Sequence, residues 1–226
     1  MCMIIYKPIG EKIPSENVIF DNFYSNPDGC GLMYMVDNQL KIDKGIFSPG
    51  KLYEKLLNIE KVEQTQLAIH FRLATHGEIN AQNCHPFLVS DTSAIMHNGI
   101  LSKKYSYNPD ISDSFLFSQQ LIKHEKNFLR KNCLKRYIEH ETIGSRILYF
   151  NAEKNMVIMT GTWHKFKGLY FSNYYSGEYF YHKNICPYCN GELKNISKIN
   201  DLYECENCGL LLDGYGQEVD IVRVSY

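Results

Sequence analysis

Eight cysteines occur in the 226-residue chain, and five of them stand where sulfur chemistry is possible. Cys2 directly follows the initiator methionine. A small second residue favours removal of Met1, which leaves Cys2 with a free α-amino group. That amine has a reference pKa of about 7.7–8.0 and a free thiol about 8.5. Nucleophile and base then sit on one residue, an arrangement known for N-terminal threonine and workable for cysteine. The other four form two C-x-x-C pairs, Cys186 with Cys189 and Cys205 with Cys208, separated by 15 residues. Four thiolates at that spacing suit one tetrahedral Zn2+ ion. Iron in a rubredoxin-like site is the lesser alternative, and a redox dithiol fits two paired motifs poorly. Gly191 and Gly209 follow the pairs, where turns around an ion need small residues. Cys30, Cys84 and Cys133 are scattered and carry no comparable signal.

Further chemistry-bearing types cluster in short turn segments. Asn26-Pro27-Asp28-Gly29-Cys30-Gly31 leads into a strand-like run, and Arg72-Leu73-Ala74-Thr75-His76-Gly77 closes another. Asn83-Cys84-His85-Pro86-Phe87, His97-Asn98-Gly99-Ile100 and Ser112-Asp113 follow. Singly, each has an ordinary explanation. Asn-Gly is a common hairpin turn, an acid in the first helical turn favours the dipole, an arginine pairs on surfaces, and His85 and His97 read as structural. Together with Cys2 and in this order, they resemble the class II glutamine amidotransferases of the N-terminal nucleophile hydrolase superfamily. The patterns concerned are N-x-D-G-x-G, R-x-x-T-H-G, N-x-H-P-F and H-N-G, then an Asp early in a helix. The resemblance covers roughly residues 2–182, including Gly168-Leu169-Tyr170-Phe171-Ser172-Asn173. Many members of that family carry Trp after the arginine, where this chain has Leu73; the departure bears on loop closure, not on the thiol.

The resemblance implies a glutaminase with Cys2 attacking the side-chain amide of L-glutamine. Asn98 and the Gly99 N–H would form the oxyanion hole, where losing one donor costs about 2.7–4 kcal/mol in activation free energy. Arg72, with Thr75 and His76 nearby, would take the α-carboxylate, and Asp113 the α-ammonium. Arginine's planar fork suits a carboxylate. No cofactor is implied for catalysis; Zn2+ would be structural. Ammonia would go to a separate synthetase or other acceptor protein. Two other readings keep the fold: a hydrolase of other γ-glutamyl amides or peptides, and an inactive scaffold that recruits partners through the zinc ribbon.

Positioning these residues needs strands that end at the turns. Runs rich in Ile, Tyr, Phe and Val predict strands at 3–7, 31–36, 66–72, 93–97, 146–151, 156–161, 169–171 and 178–181. Leu52, Leu56, Leu57 and Ile59 mark a helix after the Ser48-Pro49-Gly50 turn. Ser112 caps a second, whose Phe115, Leu116, Leu121 and Ile122 face inward. Phe128, Leu129, Leu134, Tyr137 and Ile138 mark a third, ending at Glu141 and Thr142. Strands grouped around helices argue for α+β with mainly antiparallel sheet. The resemblance sharpens this to a four-layer αββα sandwich over 2–182, with a small four-cysteine zinc ribbon at 183–226. Composition agrees with a globular protein: 44% hydrophobic, 22% charged, net charge −1. There is no P-loop, no dinucleotide fingerprint and no 18-residue apolar run, so nucleotide sites and membrane spans are not expected. No signal-peptide pattern opens the chain, so a cytoplasmic protein is expected. Residues 183–226 carry four basic against seven acidic residues, net −3, a poor surface for nucleic acid.

Overall fold

The computed structural model describes residues 2–59, 61–105, 108–125, 131–173, 186, 189, 191–197 and 202–212. They fall into two compact units, 1–173 and 174–226. In chain order the first contains β1 (Met3–Lys7), α1 (Glu16–Ser25), β2 (Cys30–Val36), β3 (Gln39–Ile46) and α2 (Pro49–Leu57). Then come β4 (Gln66–Phe71), β5 (Phe87–Ser90), β6 (Ser93–Asn98), α3 (Asp113–Glu125) and α4 (Lys131–Glu141). It closes with β7 (Arg146–Asn151), β8 (Met156–Thr160), β9 (His164–Phe166) and β10 (Leu169–Phe171).

Ten strands make two antiparallel sheets, ordered β3-β2-β4-β1-β10-β9 and β5-β6-β7-β8. Side-chain alternation assigns the layers. Ile4 and Tyr6 of β1, Met33 and Met35 of β2, and Ala68 of β4 meet Ala94, Met96, Leu148 and Phe150 from the second sheet. The opposite face of that sheet (Ile95, Ile147, Tyr149 and Ile158) packs on Phe117 and Leu121 of α3 and Leu134 and Ile138 of α4. On the outside of the first sheet α1 packs against α2, and α2 against β3. The result is helix, sheet, sheet, helix: the four-layer αββα sandwich. β1 is an interior strand with all five residues buried, which is why its apolar run is continuous rather than alternating.

Several details differ from the sequence reading. The helix α1 and the strands β3, β5 and β9 are additional. The turn into β3 is the Asp37-Asn38 pair, both at positive φ (47° and 58°), a two-residue hairpin connection. Leu57 and Ile122 face outward, 59% and 40% exposed, while Phe117 is fully buried; one residue around a helix is 100°, enough to exchange core for solvent. Ser112 does cap α3, its Oγ accepting from the Phe115 N–H at 3.1 Å. Phe128, Leu129 and the strand expected at 178–181 lie outside the described residues. Among the described residues no helix is long and apolar enough to cross a membrane.

The second unit carries a three-stranded antiparallel sheet of β11 (Leu193–Ser197), β12 (Leu202–Cys205) and β13 (Leu211–Leu212). Cys186, Cys205 and Leu212 form its small buried core, with Cys189, Leu193, Tyr203 and Leu210 against them.

Gly31 of β2 has no room for a side chain. A Cβ there would press on the His85 carbonyl oxygen and stand 2.8 Å from that of Asp43. Gly50, in the first turn of α2, would meet only Ser48 Oγ at 4.0 Å. Gly31→Ala is therefore expected to destabilise by about 1–3 kcal/mol. Gly50→Ala is expected to be neutral or to stabilise by up to about 1 kcal/mol. Thermal or urea unfolding of the pair reads the contrast; equal midpoints would contradict it.

Candidate active site and cysteine cluster

β1 pairs with β4 so that Met3 faces Phe71 and Ile4 faces His70, which brings Cys2 beside the segment leaving β4. The Leu73 N–H donates to Cys2 Sγ at 3.3 Å, and the thiol reaches the Leu73 carbonyl at 3.4 Å. On its other side Asn173 Nδ2 donates to the Cys2 carbonyl at 2.6 Å. Burial pushes the Cys2 thiol up, against the lowering effects of the Leu73 contact and of the Arg72 charge.

Asn98 ends β6. Its Nδ2 donates to Ser172 Oγ at 2.8 Å, and the same oxygen accepts from the Ile4 N–H at 2.8 Å. Gly99 follows at φ 151°, where a Cβ would overlap the Ser145 side chain; only glycine turns this corner so close to Ser145. Cys2 and Asn98, distant in sequence, are thus each one hydrogen bond from the consecutive residues Asn173 and Ser172.

Arg72 is 3% exposed. Three of its N–H groups donate to backbone carbonyls of the following loop: Nη1 to Glu78 (2.9 Å), Nη2 to His76 (2.8 Å) and Gly77 (3.1 Å). It makes no ion pair among the described residues. Thr75 and His76 are exposed on the loop that Arg72 holds. Asp113 is 9% exposed. Its Oδ2 accepts from the Leu101 N–H (3.1 Å) and its Oδ1 from the Ser114 N–H and hydroxyl (2.7 and 3.1 Å). It too lacks an ion-pair partner among the described residues.

Residues to which sequence reasoning gave no role hold these groups in place. Asn83 donates through Nδ2 to Glu78 O (3.1 Å) and Asp110 O (2.8 Å), and accepts from the Ser112 N–H through Oδ1 (3.0 Å). It ties the Arg72 loop to the segment carrying Asp113. Asp28 Oδ2 accepts from the Ala74 N–H at 2.7 Å, so the N-x-D-G turn is stitched to the same loop. His70 Nε2 donates to the His97 carbonyl at 3.0 Å, joining the two sheets beside Asn98. Because a carbonyl only accepts, the His70 proton is on Nε2. His97 Nδ1 lies 2.7 Å from Ser114 Oγ. Ser172 and Asn173 end the segment Gly168-Leu169-Tyr170-Phe171-Ser172-Asn173, but nothing local in the sequence says which distant strands they meet.

In the second unit the four ligand atoms of Cys186, Cys189, Cys205 and Cys208 all lie within 4.8 Å of one another. Cys186 and Cys208 Sγ are 3.7 Å apart, and Cys189 and Cys205 Sγ 3.4 Å. A tetrahedron of Zn–S bonds of about 2.3 Å has edges of about 3.8 Å, so the donor set fits a metal ion of this kind. The Gly191 and Cys208 N–H groups donate to Cys189 and Cys205 sulfurs at 3.4 and 3.5 Å, contacts that suit thiolates. A Cβ on Gly191 would stand 3.0 Å from Cys205 Sγ, which accounts for the glycine.

Comparison with known proteins gives matches in sequence. The chain is 37% identical over 81 residues to glutamine–fructose-6-phosphate aminotransferase of Clostridium perfringens, covering 34% of this chain and 13% of that protein. It is 30% identical over 115 residues to the Idiomarina loihiensis protein of the same name, covering 46% and 18%. The chain spans less than a fifth of the length of these curated relatives. They bear out the resemblance to class II glutamine amidotransferases. Among solved structures it is similar to glutamine phosphoribosylpyrophosphate amidotransferase from B. subtilis, at TM-score 0.49 and 16% identity over 76% of this chain and 41% of that one. A glutamine aminotransferase class-II domain protein from Silicibacter pomeroyi gives TM-score 0.33 and 12% identity, over 67% and 73%. No family model matches the chain.

Three neutral histidines lie behind the corner. His70 and His85 stack with ring centroids 3.9 Å apart, and His97 is 6.5 Å from His85. Burial lowers His70 to about 3 and His97 to about 4, and holds His85 well below an ordinary imidazole. The unfolded chain protonates these groups below about pH 6.5 while the fold does not. Their stabilisation is therefore complete above that pH and is lost as pH falls towards 4. Each contributes a slope of up to about 1.4 kcal/mol per pH unit within the window. Urea unfolding at pH 7.5, 6 and 5 should show this fall, and His85→Leu should make it shallower by one histidine's share; an unchanged slope in that variant would contradict the assignment.

Proposed function

We propose that residues 2–182 form a glutaminase domain, hydrolysing L-glutamine to glutamate and ammonia through a γ-glutamyl thioester on Cys2. The carrying observation is the convergence of Cys2 and Asn98 on Ser172 and Asn173. Attack by the Cys2 sulfur on the amide carbon forms the C–S bond and moves charge onto oxygen. Asn98 and the Gly99 N–H face that charge. The α-amine of Cys2, freed by loss of Met1, takes the thiol proton and passes it to the departing amino group. Ammonia leaves as the C–N bond breaks. Water, deprotonated by the same amine, then cleaves the thioester and restores the thiol.

Charge complementarity supports the substrate. A buried cation (Arg72) and a buried anion (Asp113), neither with an ion-pair partner among the described residues, match the two charged ends of an α-amino acid. Three loop carbonyls share the Arg72 fork, so its remaining N–H groups meet the α-carboxylate together with donors from Thr75 and His76. Asp113 receives the α-ammonium. We further propose that ammonia goes to a synthetase or other acceptor partner. The relatives' printed name, with glutamine and fructose 6-phosphate as its two reactants, is of that kind. Residues 183–226 are proposed to hold a structural Zn2+ on Cys186, Cys189, Cys205 and Cys208.

Two outcomes are expected. Purified protein should release ammonia from L-glutamine, and Cys2→Ala should release it at least about 10³-fold more slowly, since a nucleophile is lost outright. Intact mass should record loss of Met1 and one adduct of the glutamine-like electrophile diazo-oxo-norleucine in the wild type only. Equal rates in the two proteins, or retained Met1 with no adduct, would sink the reading. Elemental analysis should find one zinc per chain, removed by a strong chelator with loss of order in the second unit, and Cys205→Ser should weaken retention. Metal-free protein with an unchanged second unit would refute the zinc assignment.

A further inference from the structure

The hydroxyl of Ser172 is enclosed, with the residue 0% exposed. Its oxygen accepts from two donors on different strands, the Ile4 N–H and Asn98 Nδ2, both at 2.8 Å. Its own proton points at Met3 Sδ, 3.9 Å away. A hydroxyl has two acceptor sites and one proton, so every direction it offers is used. The Ser172 N–H in turn donates to the Ile4 carbonyl at 2.9 Å, so this peptide is locked onto β1 through both main chain and side chain. The next residue, Asn173, holds the carbonyl of Cys2. We propose that Ser172 is a positioning residue for the oxyanion hole. It fixes the rotation of the Asn98 carboxamide by taking one of its two N–H bonds, and so aims the other at the site where Cys2 attacks. This rests on the glutaminase reading above.

An asparagine amide turns freely about its last torsion, whose energy wells are broad. Only a fixed acceptor on one N–H sets the direction of the other. An oxyanion donor works because it is already aimed when charge develops, so no reorganisation is needed during reaction. Ser172 can supply that fixity because the same oxygen is bound to the backbone of β1, two residues from the nucleophile. Donor and nucleophile then share one reference point, and their relative placement does not depend on the sheet-to-sheet spacing alone. Substrate charges meet Arg72 and Asp113 instead, so loss of the Ser172 acceptor should leave ground-state binding intact.

The test is a double-mutant cycle in the full chain with L-glutamine as substrate. Ser172→Ala should lower kcat by about 10- to 100-fold, part of the loss from removing a donor altogether, with KM changed less than about threefold. Asn98→Ala should lower kcat further, and adding Ser172→Ala to it should change single-turnover rates by less than about twofold, because a residue acting only through Asn98 has nothing left to aim. A multiplicative effect of the two substitutions, or a matching rise in KM, would overturn the proposal in favour of a general structural role. Should Ser172→Ala not fold, Ser172→Cys keeps the shape with a weaker acceptor and should show the same kcat-selective loss. An active wild type in which Ser172 variants keep full kcat defeats this inference alone. A wild type that releases no ammonia, with Cys2 unreactive, defeats the glutaminase reading and this inference with it.

Discussion

The antiparallel pairing of β1 on both sides, with β4 and with β10, determines where the second residue of the chain lies. Its register sets Ile4 opposite His70 and Ile5 opposite both Ile69 and Phe171. Because side chains alternate, Ile4 and Tyr6 enter the inter-sheet core while Met3 and Ile5 enter the other face. A slip of one residue would reverse every one of these assignments, so the apolar layers hold the register from both sides. Cys2 inherits its position from that register. It stands just beyond the strand, between the turn leaving β4 and the turn leaving β10, where the Leu73 N–H and Asn173 Nδ2 hold it.

At this end of the sandwich the interior changes from apolar to polar, and the polar groups hold one another. Arg72 and Asp113 would each be costly as unpaired buried charges. Carbonyls of residues 76–78 offset the first, and the Leu101 N–H, the Ser114 N–H and the Ser114 hydroxyl the second. A hydrogen bond to a charged group contributes about 1.5–3 kcal/mol, so three per side chain compensate the burial. Asn83 then joins the two arrangements. The turn motifs act as frames: Asp28, Asn83 and His70 hold the segments that carry Arg72, Asp113 and Asn98.

Much of this was legible in the sequence, for reasons that differ by element. β1, β4, β6 and β7 are dense in branched and aromatic residues and end in turn residues, so their bounds were readable to within a residue or two. β3 was missed because Gln39–Ile46 is an edge strand with lysines at 41 and 44, the polar composition edges use to avoid further pairing. α1 was missed because its buried positions include Asn22, which breaks an apolar stripe on paper while donating to the Val18 carbonyl in the fold. The cysteine cluster was read from spacing, since all four ligands lie within 23 residues. Ser172 and Asn173 could not be assigned roles that way, because what they bind is 74 and 171 positions away and only the sheet order brings it near.

The surroundings of Cys2 bear on how its sulfur could react. A free thiol is ionised to a few per cent at pH 7, and burial drives Cys2 further towards the neutral form. Unlike cysteines activated by a neighbouring imidazolium, this one hydrogen-bonds to no histidine among the described residues: His70, His85 and His97 are buried and neutral, held by a backbone carbonyl, ring stacking and the Ser114 hydroxyl. The Leu73 N–H gives the sulfur some support as an anion, and the Arg72 charge gives a little more. Neither accepts a proton. On the reading proposed above the base is its own α-nitrogen, which can serve only when no peptide bond ties it to Met1. On that reading, removal of one residue supplies the base for a half-buried thiol whose ionisation its surroundings suppress.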